Sequence, residues 1–329
     1  MSQWLAHVIE RAAAVDDWLS PVRAEALAKL KEQSWPGRRT EAWRYTSLHA
    51  VEDLSLPTES NAQAEAPAIK GLDAIDLVFV DGRLTSDLAA LNLPEGLTIR
   101  SLTDKSDIAE QVFTQVKPSH HLFGLVNDVL ATQGIVIDVA PNATIERPIR
   151  VVNFATDNVE SHTRVLVSLG DNAKATVIEH GSGTGHSLNT AFAEYDIADN
   201  ARLEHYRFAL HQGEAIHVGG SHFKLANKSR LNSTLIGYGS QLTRLDVDII
   251  HAGEHAHAKF NNAYLLAPKE HFDLHSTIEH AMPNGTTEEN ARGIIGDKAK
   301  AVFNGRIHIH RDAQKTLAEL NNRNLLLSR

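Results

Sequence analysis

Apolar positions recur at helical spacing through the first thirty or so residues and then stop. Trp4, Leu5, Val8, Ile9 and Ala12 share one helical face. Ser20-Pro21 reads as an N-cap followed by proline at the first helical position. Val22, Ala26, Leu27 and Leu30 continue that pattern until Trp35-Pro36-Gly37 ends it. Residues 55–68 are small, polar and punctuated by proline, which predicts a loop. Leu77-Val78-Phe79-Val80 followed by Asp81-Gly82 predicts a strand entering a tight turn. Helical patterns return over 107–117 and 120–131.

From Gly134 the period changes. Ile135–Val139, Ile149–Phe154, Arg164–Leu169, Ala175–Glu179 and Leu245–Ile250 predict short strands separated by polar turns. A turn followed by a strand repeats at Asn142-Ala143-Thr144, Asn172-Ala173-Lys174, Asn200-Ala201-Arg202 and Lys228-Ser229-Arg230, and recurs at Lys298-Ala299-Lys300. The first four Ala/Ser positions stand 30, 28 and 28 residues apart. Short strands at near-constant spacing predict a parallel β-helix, in which inward ladders of Val, Ile, Leu and Ala stack from coil to coil. A β-sandwich or two stacked barrels also show evenly spaced strands; the repeat favours the solenoid. The expectation is therefore a mainly β chain. Residues 1–133 form a mostly helical region with a small strand element that caps one end, and residues 134–329 form the β-helix core.

The composition narrows the function. The chain has 329 residues and a net charge of −9, which argues against a nucleic-acid partner held by bulk charge. It has no cysteine, so it supplies no disulfide, no thiolate nucleophile and no Cys ligand to zinc or an iron–sulfur cluster. The first residues carry Asp and Glu without a basic leader and do not read as a signal peptide. No apolar run approaches the length of a membrane span, so a soluble cytoplasmic protein is expected.

Histidine is abundant, with 19 copies. His255-Ala256-His257 and His308-Ile309-His310 would each put two imidazoles on one strand face. His271, His275 and His280 lie near in sequence, with Glu254, Asp273 and Glu279 as carboxylates. Spacing alone does not assemble these residues into a metal site. Gly181-Ser182-Gly183 and Gly219-Gly220-Ser221-His222 lack the form of a nucleophile elbow, and no phosphate-binding loop or dinucleotide fingerprint is present. No catalytic, cofactor-binding or metal-ligating residue is assigned, and no cofactor is expected. The block from Arg38 to Tyr45 combines arginines with Trp43 and Tyr45. It suits a partner-binding or anion-binding surface. Its chemistry favours the other possibility, a short structural helix with both aromatics buried and the arginines salt-bridged.

Four blocks carry a family resemblance. They are Pro36 to Leu48 (PGRRTEAWRYTSL), Asp273 to His280 (DLHSTIEH), Gly296 to Ile307 (GDKAKAVFNGRI), and Asp312-Ala313-Gln314-Lys315-Thr316 with Asn324-Leu325-Leu326-Leu327-Ser328. In order and spacing the chain resembles the SufB/SufD family of the SUF iron–sulfur cluster assembly machinery, over essentially its whole length. The lack of cysteine and the first block point to the SufD branch. The resemblance implies a right-handed parallel β-helix flanked by helices. It also implies a non-enzymatic scaffold or adaptor acting with SufB and the SufC-type ATPase. The isolated chain is then expected to hold no iron–sulfur cluster, and no nucleic-acid or membrane partner is expected. The other class consistent with a β-helix is a carbohydrate-active lyase or hydrolase, which needs clustered or paired carboxylates and usually acts outside the cell.

Family members continue past the last block into closing strands and helices that dock the ATPase. The chain is thus expected to be truncated at its C-terminal end. Weakened ATPase binding follows, as does self-association, as in a homodimer, through the unpaired last coil.

Overall fold

The computed structural model describes residues 2–327. The first part carries α1 (Gln3–Ala12), α2 (Ser20–Glu32), the one-turn α3 (His49–Glu52), β1 (Ile75–Val80), β2 (Arg83–Leu84), β3 (Leu97–Ser101), α4 (Asp107–Val112) and α5 (Leu122–Leu130). Only strands follow among the described residues. They are β4 (Gln133–Val139), β5 (Ile149–Phe154), β6 (Val159–Leu169), β7 (Lys174–Gly183), β8 (Ser187–Ile197), β9 (Arg202–His211), β10 (Ala215–Leu225), β11 (Arg230–Tyr238), β12 (Leu242–His251), β13 (His257–Leu266), β14 (His271–His280), β15 (Thr286–Ile295), β16 (Lys300–Ile309) and β17 (Leu317–Leu326).

Successive strands alternate between two sheets. One holds the odd strands in the order β17-β15-β13-β11-β9-β7-β5-β1-β2, the other β16-β14-β12-β10-β8-β6-β4-β3. Each coil gives one strand to each sheet, and about seven coils stack in parallel register as a β-solenoid. Lys174 pairs with Arg202 and Arg202 with Arg230, a step of 28 residues, which is the spacing of the turn repeat.

The corner leading into each odd strand explains that repeat. Asn142, Asn172, Asn200, Lys228, His255, Asn284 and Lys315 all have φ between 56° and 64° there. A left-handed residue reverses the chain without breaking the stack, and asparagine tolerates it better than other side-chain-bearing residues. Lys298-Ala299-Lys300 belongs to the opposite corner, between β15 and β16, so it is not a fifth copy. Replacing Asn172 with alanine should cost about 1 kcal/mol, and replacing it with glycine much less. Denaturant titration of the two variants checks this.

Between the sheets the core is apolar. Ile135, Val167, Val177, Tyr195, Leu203, Phe223, Leu245, Phe260 and Leu274 are buried along it. Leu84, Leu88, Leu91 and Leu93 pack against this core where the solenoid begins. Asp81 and Gly82 form a two-residue hairpin turn with φ of 51° and 80°, as the tight-turn pattern predicts.

The helices lie elsewhere than the sequence suggests. They cover the outer face of the even sheet instead of capping its end. Leu188 and Phe192 of β8, Ile216 and Val218 of β10 and Leu242 of β12 bury against Trp4, Leu125, Val126 and Val129. Two helix boundaries also differ. α2 starts at Ser20 with Leu19 in the cap position, and the Ser20 hydroxyl accepts from the Asp17 amide instead. α4 ends at Val112, short of the predicted 117, because Thr114 turns left-handed with φ 62°.

Candidate functional site

Three of the four sequence blocks converge on one groove. About 450 Å³ in volume, it lies between the segment after α2, the start of α5 and the outer face of the even sheet. Its lining includes Thr40 and Trp43 from the first block, His275 and Ser276 from the second, and Asn304 and Arg306 from the third.

Alternation on β12 supplies the floor. Arg244, Asp246 and Asp248 occupy every second position and so share the outer face. Arg244 is buried and serves both acidic neighbours and the first block. Its Nη2 donates to Asp246 Oδ1 at 2.8 Å, and Nη1 donates to Asp273 Oδ2 and to the Ala42 carbonyl, each at 2.8 Å. The guanidinium lies 4.6 Å over the Trp43 ring. Thr46 Oγ1 donates to Asp273 Oδ2 at 2.5 Å, and His275 Nε2 sits 3.1 Å from Asp273 Oδ1. Lys300 donates to the Tyr45 carbonyl. Four chain regions, up to 255 residues apart in sequence, meet on one arginine–aspartate knot and this lysine contact.

Next to the knot, Asp248 lies between two histidines. His121 Nε2 is 3.0 Å and His222 Nδ1 2.8 Å from Asp248 Oδ2. Burial opposes ionisation of Asp248, but the hydrogen bonds from His121 and His222 outweigh it and hold the carboxyl well below its usual range. Burial likewise opposes a charged His121, yet Asp246 and Asp248 raise its pKa. Burial lowers His222 despite Asp248, so of the two histidines His121 is the better cationic partner. His121 precedes α5 directly, and this ion pair pins that helix to β12.

Two further clamps repeat the device along the same face. Glu160 of β6 receives Trp4 Nε1 at 3.1 Å, His162 Nε2 at 3.0 Å and the Arg11 guanidinium. Arg164, fully buried, donates to Asp128 Oδ1 at 2.9 Å and pairs with Glu194. Glu194 in turn accepts the backbone amides of Thr114, Val116 and Lys117 at 2.7–2.8 Å.

The interior of the solenoid holds another polar group. Glu179 accepts from Arg207 Nη1 at 2.8 Å, Ser221 Oγ at 2.7 Å and Tyr195 OH at 2.9 Å, and faces His205 Nε2 at 2.9 Å. Burial pushes this carboxyl up, but Arg207 and His205 bring it down to about 2. Further along, the His251 and His280 rings stack 4.0 Å apart, each with Nε2 3.0 Å from Thr287 Oγ1. Glu289 is buried with only Ser276 Oγ as a donor, so desolvation raises its pKa to about 7. The Glu289→Gln variant should therefore gain about 3 kcal/mol at pH 8 relative to the parent and nothing below pH 4.5. The sign follows from the raised pKa: the carboxyl favours folding while protonated, and that contribution is lost as pH rises toward 7. Melting curves at the two pH values check it.

The sequence candidates fall out as follows. His255 is a left-handed corner residue and His257 lies on β13, so the two do not share a strand face. His257 Nδ1 is engaged with Thr286 Oγ1 at 2.5 Å. The His308 and His310 rings sit edge-on 4.6 Å apart, and His310 lies beyond the end of β16. Of the others, His275 with Asp273 joins the knot, His271 touches Thr46, and His280 points inward. Among the described residues, no three His, Asp or Glu side chains are grouped so as to hold a metal ion. Ser221 and His222 face opposite sides of β10 and form no dyad. In the first block Trp43 is buried as expected, but Tyr45 is 59% exposed. Arg38, Arg39 and Arg44 are exposed, without ion pairs among the described residues. The predicted burial of Tyr45 and pairing of these arginines therefore do not occur.

No sequence motif singled out Arg244, Asp246, Asp248, His121, Arg164 or Glu194. The available signal was a charged residue at every second position of an otherwise apolar strand.

Two family descriptions match the chain. The SufBD protein N-terminal region covers residues 6–151, and the SufBD core domain of SUF system FeS cluster assembly covers residues 152–329. An iron–sulfur cluster assembly protein SufD from Escherichia coli is 25% identical over 320 residues, spanning 94% of this chain and 74% of that protein. A SufD from Bacillus subtilis is 22% identical over 335 residues, with 94% and 76% covered. A SufBD family protein from Synechocystis is 24% identical over 316 residues, with 89% and 70% covered.

Proposed function

The chain belongs to the SufBD family of SUF iron–sulfur cluster assembly proteins, and on that premise we propose that it is a non-enzymatic scaffold acting with SufB and the SufC-type ATPase in the cytoplasm. The observation that carries this reading is the state of the groove where the family blocks meet. The acidic and basic side chains that β12 and β14 place on its floor are paired, Arg244 with Asp246 and Asp273, His275 with Asp273, and His121 with Asp248, while Arg306 of β16 has no ion pair among the described residues. Such groups hold two parts of a chain in fixed relation. They do not present a free base, a nucleophile or an open coordination site. With no cysteine among its 329 residues, the sequence supplies no thiolate ligand to a nascent cluster.

A rigid solenoid with one flank locked under helices suits the task of positioning partners. No helix among the described residues is long and apolar enough to cross a membrane. Co-purification of the chain with SufB and the SufC-type ATPase tests the reading. Recovery of SufB with the chain is expected. Failure to associate with both, under conditions in which a SufD relative does, would overturn it.

A further inference from the structure

The outer face of the odd sheet carries a hollow of about 420 Å³ at the corner of three consecutive coils, lined by Asn200, Arg202, Lys228, Arg230 and His255. Every side chain in that lining can donate hydrogen bonds, three are permanently cationic, and none is acidic or apolar. We propose that this hollow is a binding site for a compact polyphosphate anion, either free or as the phosphate tail of a nucleotide. The proposal goes beyond the scaffold role and does not depend on it.

Two independent costs converge on the site. The first is electrostatic. Arg202 and Arg230 are direct partners on neighbouring parallel strands, so their side chains emerge side by side from backbones about 4.8 Å apart. Like charges opposite one another on a sheet are destabilising. Nearby acids do not relieve them. Asp199 gives its carboxylate to the amide and side chain of Asn227, and Glu204 accepts from Asn232 Nδ2 at 2.6 Å. Glu288 pairs with Lys259 at 3.2 Å. Among the described residues, Arg202, Lys228 and Arg230 have no ion pair.

The second cost is conformational. Lys228 and His255 are left-handed, with φ of 56° and 58°, at the corner position that Asn142, Asn172, Asn200 and Asn284 fill with the better-suited residue. Lys315 is also left-handed, but Thr286 and Leu317 stand there in the register places that the arginines hold here. Strain of this kind is more readily retained where a side chain is needed for something other than folding.

The chemistry selects the ligand. Two guanidinium forks, an ammonium, an imidazole and an amide, lining one hollow with no apolar side chain among them, match an anion that presents several oxygens within a small volume. A single carboxylate would use only part of the set.

The test is calorimetric titration of the 329-residue chain with inorganic pyrophosphate, ADP and sulfate in about 0.15 M salt, where weak surface pairing is screened. Saturable one-to-one binding of pyrophosphate is expected. It should weaken at least about tenfold in the Arg202→Gln/Arg230→Gln variant. It should be unchanged in Arg292→Gln/Arg323→Gln, which lies at the other end of the strands on the same face. The first variant removes like-charge repulsion, so its melting temperature should equal or exceed the parent's. Lys228→Asn should raise the melting temperature while weakening binding. ADP binding as tightly as pyrophosphate would identify the nucleotide as the source, and pyrophosphate binding alone the free polyphosphate. No saturable pyrophosphate binding, equal affinity for sulfate, or full affinity in Arg202→Gln/Arg230→Gln would overturn the assignment.

Discussion

Replacing Arg164 with alanine is expected to destabilise the folded chain by about 3–5 kcal/mol. The side chain is fully buried between Asp128 and Glu194, and its guanidinium also lies 4.7 Å over the Phe113 ring. Removing it leaves two buried carboxylates with too few donors. Lys117 still reaches Asp128 at 2.9 Å, and three backbone amides still reach Glu194, so part of the charge remains solvated by the protein. The void beneath Phe113 adds to the loss. Arg164→Lys should recover only a minor share, because an ammonium cannot span both acids as the planar fork does. Chemical denaturation of the parent and both variants provides the comparison.

Acid should unfold the chain well before ordinary carboxylate titration would. His211 and His251 are each depressed to about 3, chiefly by burial, and His280 to about 4 for the same reason. Burial also holds His217 well below the ordinary value. These groups are neutral in the fold and take up protons when unfolded, at their ordinary pKa near 6.5. Their stabilisation is complete above pH 6.5 and is lost as pH falls toward their folded values. His211, His251 and His280 each contribute a loss on the order of 2 kcal/mol by pH 5, and His217 acts in the same direction. Neighbouring pairs such as His211 with His217 will not sum fully. Glu289 acts in the opposite direction between pH 4.5 and 7, and one such group offsets only a fraction of the four. Below pH 4.5, Glu160 and Glu179, both held near 2, withdraw their contribution as well. Stability should therefore climb steeply from pH 4.5 to 6.5 and level off. A flat profile over that window would mean that these histidines are hydrated or protonated in the folded chain.

The corner asparagines made the solenoid legible. A left-handed residue is needed once per coil, and Asn142, Asn172 and Asn200 announce it at near-constant spacing. Strand lengths were harder to read. β6 begins at Val159, five residues before the apolar run at Arg164, because inward Ser161 and Thr163 find partners in Asn189 and Asn153. The position of the helices was also written in the chain. Strands β8 and β10 carry apolar residues on the inner face, at Tyr195 and Phe223, and also on the outer face, at Leu188, Phe192, Ile216 and Val218, whereas β9 and β11 alternate with Glu204, Asn232 and Thr234. A strand apolar on both sides must be covered on both sides.

The groove itself was only half legible. The blocks that line it stood out as sequence, but Thr46 and Asp273 are 227 residues apart and meet only through the fold. Charges buried on one strand face look, in one dimension, like a solvated strand face.

The account holds that this groove is a joint within an assembly scaffold, not a reacting centre. An apolar exchange of the knot, Arg244→Met with Asp246→Leu and Asp273→Leu, tests that most directly. Well-packed apolar residues in place of a buried ionic group are often tolerated by a fold. After melting and far-UV dichroism establish that the variant is folded, it is combined with SufB and the SufC-type ATPase, and iron–sulfur cluster formation is followed spectroscopically. A complex that assembles and forms clusters within about twofold of the parent rate is the predicted result. A folded variant that joins the complex but forms clusters more than about tenfold slower would contradict the account and place the knot's charges in the chemistry.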